Sequence, residues 1–137
     1  MEQVVLIITA MLAGIAAYAI NIELGKGGVL GAALVSLVGG LLFPPLFGEL
    51  GSSMALVAAT ASYAGMVSKS NVCSLGEMAV VGGITGLLYL AAAPAYPGVG
   101  GKLGTIAAIS CLSFVGYKRL FAGLVQQDIR RLVGGQM

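Results

Sequence analysis

The stretch Gly40-Leu41-Leu42-Phe43-Pro44-Pro45-Leu46-Phe47-Gly48-Glu49-Leu50-Gly51 decides how the rest of the chain is read. An apolar run meets two prolines, a glycine and an acid, and a second apolar run leaves from Met54. Proline ends or kinks a helix because it has no N–H and crowds the carbonyl four residues back. Residues 27–69 therefore read as a hairpin of two apolar helices. A looser copy follows at residues 76–119. Gly86-Leu87-Leu88-Tyr89 leads there through Pro94 and Pro97 to Lys102-Leu103-Gly104-Thr105. Ser62-Tyr63-Ala64-Gly65 is answered by Ser113-Phe114-Val115-Gly116, and both copies end on basic residues, Lys69 and Lys118-Arg119. The match needs gaps on both sides of the Leu-Gly pair and stands as a candidate 2+2 helix-hairpin repeat.

Composition sets the solvent. Of 137 residues 58% are hydrophobic and 9% charged, with a mean hydropathy of +1.02. A soluble domain carries about 25% charged residues. So few charges cannot clothe a water-facing surface, but they suit a bundle whose outer face is lipid. At about 20 residues per crossing, the chain holds one all-α membrane domain of five transmembrane helices. The expected spans are residues 4–20, 29–47, 52–67, 78–93 and 103–121. The third is short, and counts as a crossing only if Gly51-Ser52-Ser53 join it. No Lys or Arg precedes Lys26, so the first span lacks the basic start of a secretory signal and is expected to be retained.

Charge placement sets the direction. With the N-terminus outside, Lys26, Lys69, Lys118, Arg119, Arg130 and Arg131 fall on the cytoplasmic side and Lys102 alone outside. That asymmetry follows the positive-inside rule. Deleting the third span scatters it. The expectation is five crossings of the plasma membrane, N-out and C-in. Residues 121–133 continue as an amphipathic helix, with Phe121, Val125, Ile129 and Val133 on one face and Gln126, Asp128, Arg130 and Arg131 on another. Such a helix can lie at the headgroup layer, or be a fifth span that frays into a solvated basic end.

Small residues are the loudest internal signal. Gly28, Ala32, Ser36 and Gly40 recur at intervals of four in the second span, as do Gly82 and Gly86 in the fourth. Ala10 with Gly14 and Gly104 with Ala108 repeat the spacing. Between helices in lipid, close backbone approach through small side chains supplies the association. Packing within the chain, a homo-oligomer, or contacts with other membrane subunits all use such stripes.

Chemistry-bearing residues are few. No Asp, Glu, Lys or Arg falls mid-span, which counts against a self-contained proton-coupled pump. Hydroxyls remain, and each can bond the carbonyl one turn back in its own helix. The functional alternative is a weakly polar path lined by Thr60, Ser62 and Tyr63 on the third span and Thr85 and Tyr89 on the fourth. Ser74 and Glu77 have capping-box spacing. Glu77 with Lys69 and Asn71 could instead meet a polar solute at the cytoplasmic mouth. The glycine-rich turn at residues 95–102 is either plain or re-entrant. It lacks the spacing of a phosphate loop.

The chain has no histidine and two cysteines, Cys73 and Cys111, which are expected as reduced thiols. No metal site, cofactor, general acid–base pair or basic stripe for nucleic acid emerges. The expected function is not enzymatic. It is a small transport protein or channel for a small solute or ion, acting as a homo-oligomer or with a partner subunit. The alternative is a non-catalytic structural subunit of a larger membrane complex.

Overall fold

The computed structural model of the chain describes residues 1–68, 70–72, 74–95 and 101–135. These residues fold into five α-helices with no strand among them: α1 (Glu2–Tyr18), α2 (Gly28–Phe47), α3 (Glu49–Ala64), α4 (Leu75–Ala92) and α5 (Gly101–Gly134). A π-helical turn, Ala19–Glu23, closes α1. Four stretches, Glu2–Glu23, Gly28–Phe47, Leu75–Ala92 and Gly101–Gly134, are long and apolar enough to cross a membrane.

Glycine contacts fix how the helices run. A side chain at Gly51 would collide with the carbonyl of Phe43, one at Gly39 would touch Ala58, and one at Gly28 would touch Met66. Helix α3 therefore retraces α2 along almost its whole length. The turn between them is a single residue, Gly48, at φ 62, a left-handed value that side chains strain to adopt. Pro44 and Pro45 lie inside the last turn of α2 rather than after it. Along α1, Gly86 meets Ile7, Gly82 meets Met11, and Gly14 meets Met78, so α4 runs antiparallel to α1. Lys102 Nζ donates to the carbonyl of Ala93 at 3.1 Å, which places the start of α5 beside the end of α4. Successive helices alternate in direction. One end of the bundle holds Lys26, Lys118 and Arg119, and the other holds Gly48, Ala93 and Lys102.

Helix α3 is the axis. It packs against α1, α2, α4 and α5, and half of its 16 residues are buried. It begins at Glu49, so Gly51, Ser52 and Ser53 do belong to it. Two apolar clusters stack along it. Leu6, Ala10, Met54 and Val57 fill the end near Gly48. Tyr18, Val72, Met78 and Ala107 fill the basic end.

Helix α5 is the opposite case. Of its 34 residues only Ile106, Ala107 and Ser110 are buried. At 1.5 Å per residue it is about 51 Å long. The amphipathic tail read from residues 121–133 is the same uninterrupted helix, wholly exposed and extending past the other four.

The small-residue stripe of α2 is only partly an interface. Gly28 touches Met66 and Ala32 is buried, whereas a side chain at Gly40 would meet nothing within 4 Å. Steps of four advance about 40° around a helix of 3.6 residues per turn. Three such steps carry Gly40 off the contact face, and Gly39 takes the place against α3.

Candidate functional site

The interior hydroxyls are committed to their own helices. Thr60 Oγ1 donates to the Leu56 carbonyl at 2.8 Å, Thr85 Oγ1 to Val81 at 2.8 Å, and Ser110 Oγ to Ile106 at 2.8 Å. All three side chains are fully buried. No buried side-chain nitrogen or oxygen among the described residues lacks a partner.

The residues read as a path do not converge. Ser62 donates to the Ala59 carbonyl at 2.7 Å and lies 3.1 Å from Ser36 Oγ, so it faces α2 rather than α4. Tyr63 is 40% exposed and lines a crevice of about 500 Å³ between α3 and α5, with Ala64, Gly104, Ala108 and Cys111. Tyr89 is half-buried against the cluster around Met54. At 100° per residue Ser62 is turned about 160° away from Thr60, while Tyr63, one turn on from Thr60, sits at the exposed edge of that face. A residue list gathered along one helix was never one face of it.

The sequence brought Asn71 and Glu77 to one end, and the structure joins them through a residue not counted with them. Lys118 Nζ lies 3.0 Å from Glu77 Oε2, with side-chain exposures of 36% and 29%. The same ammonium donates to the Asn71 carbonyl at 3.5 Å. The Glu77 amide donates to Ser74 Oγ at 3.2 Å, the helix cap expected from the Ser-x-x-Glu spacing. On the opposite side, Tyr18 Oη donates to the Val72 carbonyl. Asn21 Nδ2 donates to the carbonyls of Gly65 and Val67 at 3.2 and 3.3 Å. Asn21 stands within the π-helical turn that closes α1.

These bonds fasten the connection between α3 and α4 to α1, α4 and α5 at once. The ion pair is partly exposed, so its contribution to stability is modest, about 1 kcal/mol or less. Chemically the group is a clamp. Lys69, placed with this mouth in the sequence reading, lies outside the described residues, as do Cys73 and residues 96–100 of the glycine-rich turn. Lys118, Tyr18 and Asn21 were missed as partners. The available signal was that Glu77, on an otherwise apolar helix, needs a cation from another element.

Packing glycines hold α4 close against α1. Side chains at Gly82 and Gly86 would stand 2.8 and 3.0 Å from the Cα atoms of Met11 and Ile7. By contrast, Gly104 meets nothing within 4 Å, and Ala108 is exposed beside it. An apolar groove of about 470 Å³ runs between α1 and α2 over Met54 and Ala58, with Thr9 its one polar lining residue. That hydroxyl is bonded to the Val5 carbonyl at 2.7 Å. No group of three or more His, Cys, Asp or Glu that could hold a metal ion comes together among the described residues.

No protein-family profile, curated protein or solved structure matches the chain.

Proposed function

We propose that the chain is a multi-pass protein of the cell membrane with five crossings, N-terminus outside and C-terminus in the cytoplasm, and that it works as an assembly-forming subunit. The pairing of α3 with α2 supports the count, since a bilayer crossed by Gly28–Phe47 is crossed again by the helix that retraces it. The direction is supported by Lys26, Lys118 and Arg119 at one end of the bundle against Lys102 at the other and the preference of basic residues for the cytoplasm. The lipid bilayer is the first partner. Leu30, Leu34, Leu37 and Leu41 on α2 are all exposed, a face suited to hydrocarbon and to nothing polar.

The single observation that carries assembly is the outward small-residue face of α5. Gly104 and Ala108 are exposed and unfilled beside the Tyr63 crevice. Small side chains gain little from lipid but let a second helix approach closely. A second copy, or another membrane subunit, is the natural occupant. The test is the mass of the detergent-solubilised protein, with Gly104→Leu and Ala108→Leu combined. An oligomer that this variant dissociates, without loss of helix content, supports the proposal. A wild-type protein that is monomeric after solubilisation and gives no crosslink through α5 in native membranes overturns it.

A second reading, transport of a small neutral solute or an ion along a path between copies, is favoured by one feature. The crevice between α3 and α5 presents Tyr63 to the outside together with the Cys111 thiol, which donates to the Ala64 carbonyl at 3.6 Å. Solute flux into liposomes, abolished by the same double variant, favours that reading. An inert oligomer favours the structural-subunit role.

A further inference from the structure

We infer that the part of α5 beyond Lys118 is a surface anchor that lies on an anionic bilayer face, turning away from the bundle at Gly123. The inference rests on the membrane reading above.

Residues 119–134 extend about 24 Å beyond the clamp at Lys118, and none of them is buried. Leu124, Ile129 and Leu132 are 60%, 54% and 74% exposed. At 100° per residue, Phe121, Leu124, Val125, Ile129, Leu132 and Val133 gather on one half, while Arg119, Gln126, Arg130 and Gln127 take the other. Held straight out from the basic end, this apolar face stands in water. The nearest apolar phase is the bilayer from which the helix has just emerged.

Charge decides the occupant. The segment carries three arginines, Arg119, Arg130 and Arg131, against one acid, Asp128, and all four are exposed. Asp128 falls between Phe121 and Leu124 around the helix, with Arg131 one turn on at the border of the apolar face. A basic amphipathic helix binds the headgroup layer by burying its apolar face and drawing anionic lipid to its cations. A second copy fits less well. The seam Ala122, Val125, Ile129 and Leu132 lasts two heptads, and a coiled coil needs at least about three. Asp128 would flank that seam opposite apolar Val133.

The hinge is also in place. Lys118 is tied to Glu77, so α5 is anchored up to that point. Gly123 is the first glycine beyond it, exposed and with nothing within 4 Å, and glycine is where a helix bends at least cost. Tyr117 stacks on Phe121 with ring centroids 6.2 Å apart, and aromatic side chains favour the membrane interface.

The chain has no tryptophan, so one introduced residue reports alone. Full-length Leu124→Trp is reconstituted into phosphatidylcholine vesicles with and without phosphatidylglycerol, and quenched with lipids brominated at shallow or deep positions. The expected result is blue-shifted emission and shallow quenching that strengthen with phosphatidylglycerol. Adding Arg130→Gln and Arg131→Gln is expected to return the signal to its value in phosphatidylcholine alone. Water-like emission in both lipids overturns the inference. So does a blue shift that ignores lipid charge and grows with protein density, since that reports a second copy. Leu37→Trp on α2 is the control. Deep quenching there with none at Leu124→Trp rejects the anchor alone, whereas no quenching at Leu37→Trp rejects the membrane reading itself.

Discussion

The two hairpins, α2–α3 and α4–α5, resemble each other loosely in sequence and end in different surroundings. In the first, Gly51 is pressed onto the Phe43 carbonyl and Gly65 onto Ala17. In the second, the glycines aligned with them, Gly104 and Gly116, meet nothing within 4 Å. Helix α3 is enclosed by four neighbours, while α5, its counterpart, leans on the bundle through three buried residues. The same small residues serve an internal contact in one hairpin and an outward face in the other. A glycine in a membrane helix reports that something approaches, and its spacing leaves open whether that something lies in the same chain.

Substitutions measure that contrast. The largest effect is expected at Gly51→Ala, because the added carbon has only backbone to displace. It should cost about 3 kcal/mol or more, whereas Gly104→Ala should be neutral or stabilising by up to about 1 kcal/mol from helix propensity. Thermal unfolding of the two variants in detergent gives the ratio, and equal losses would erase the distinction between the hairpins. Next comes Gly82→Val, expected at about 2–3 kcal/mol from collision with α1. Gly83→Val, which meets only the flexible end of Met11 near 4 Å, should cost far less.

Smaller is the clamp between the hairpins. Lys118→Met should lower stability by about 1 kcal/mol or less, given the exposure of the pair. It should also speed proteolysis at residues 65–74, as followed by limited digestion. The smallest change is expected at Ser36→Ala, about 0.6 kcal/mol by the usual worth of a hydrogen bond between membrane helices. Ser62 keeps its bond to the Ala59 carbonyl, so little is left unsatisfied. A loss above about 2 kcal/mol would mean that the Ser36–Ser62 contact does more than join two helices.

Much of the helix pattern could be read from the chain. Proline, glycine and apolar runs locate all five helices, and the Ser74-x-x-Glu77 spacing marks the start of α4. The prolines misled slightly, since Pro44 and Pro45 sit within α2 and Gly48 makes the turn. Gly82 and Gly86 pack as their spacing suggests, because two residues one turn apart share a face. Gly40 does not, because a longer run at intervals of four drifts around the helix. The site was read less well. Thr60 and Ser62 are neighbours in sequence and point nearly opposite ways around the helix. Lys118 joined Glu77 from a helix more than forty residues away, a pairing that no local pattern encodes.

Helix α3 carries a last consequence. Its Gly51, Ser52, Ser53, Thr60 and Ser62 make it a poor candidate to partition into lipid unaided, and at 16 residues it falls short of the usual crossing. On the proposed topology its entry depends on α2, to which the one-residue turn at Gly48 binds it. Biogenesis would then deliver the two as a single unit, with α3 leaving the translocon only once α2 is there to shelter it.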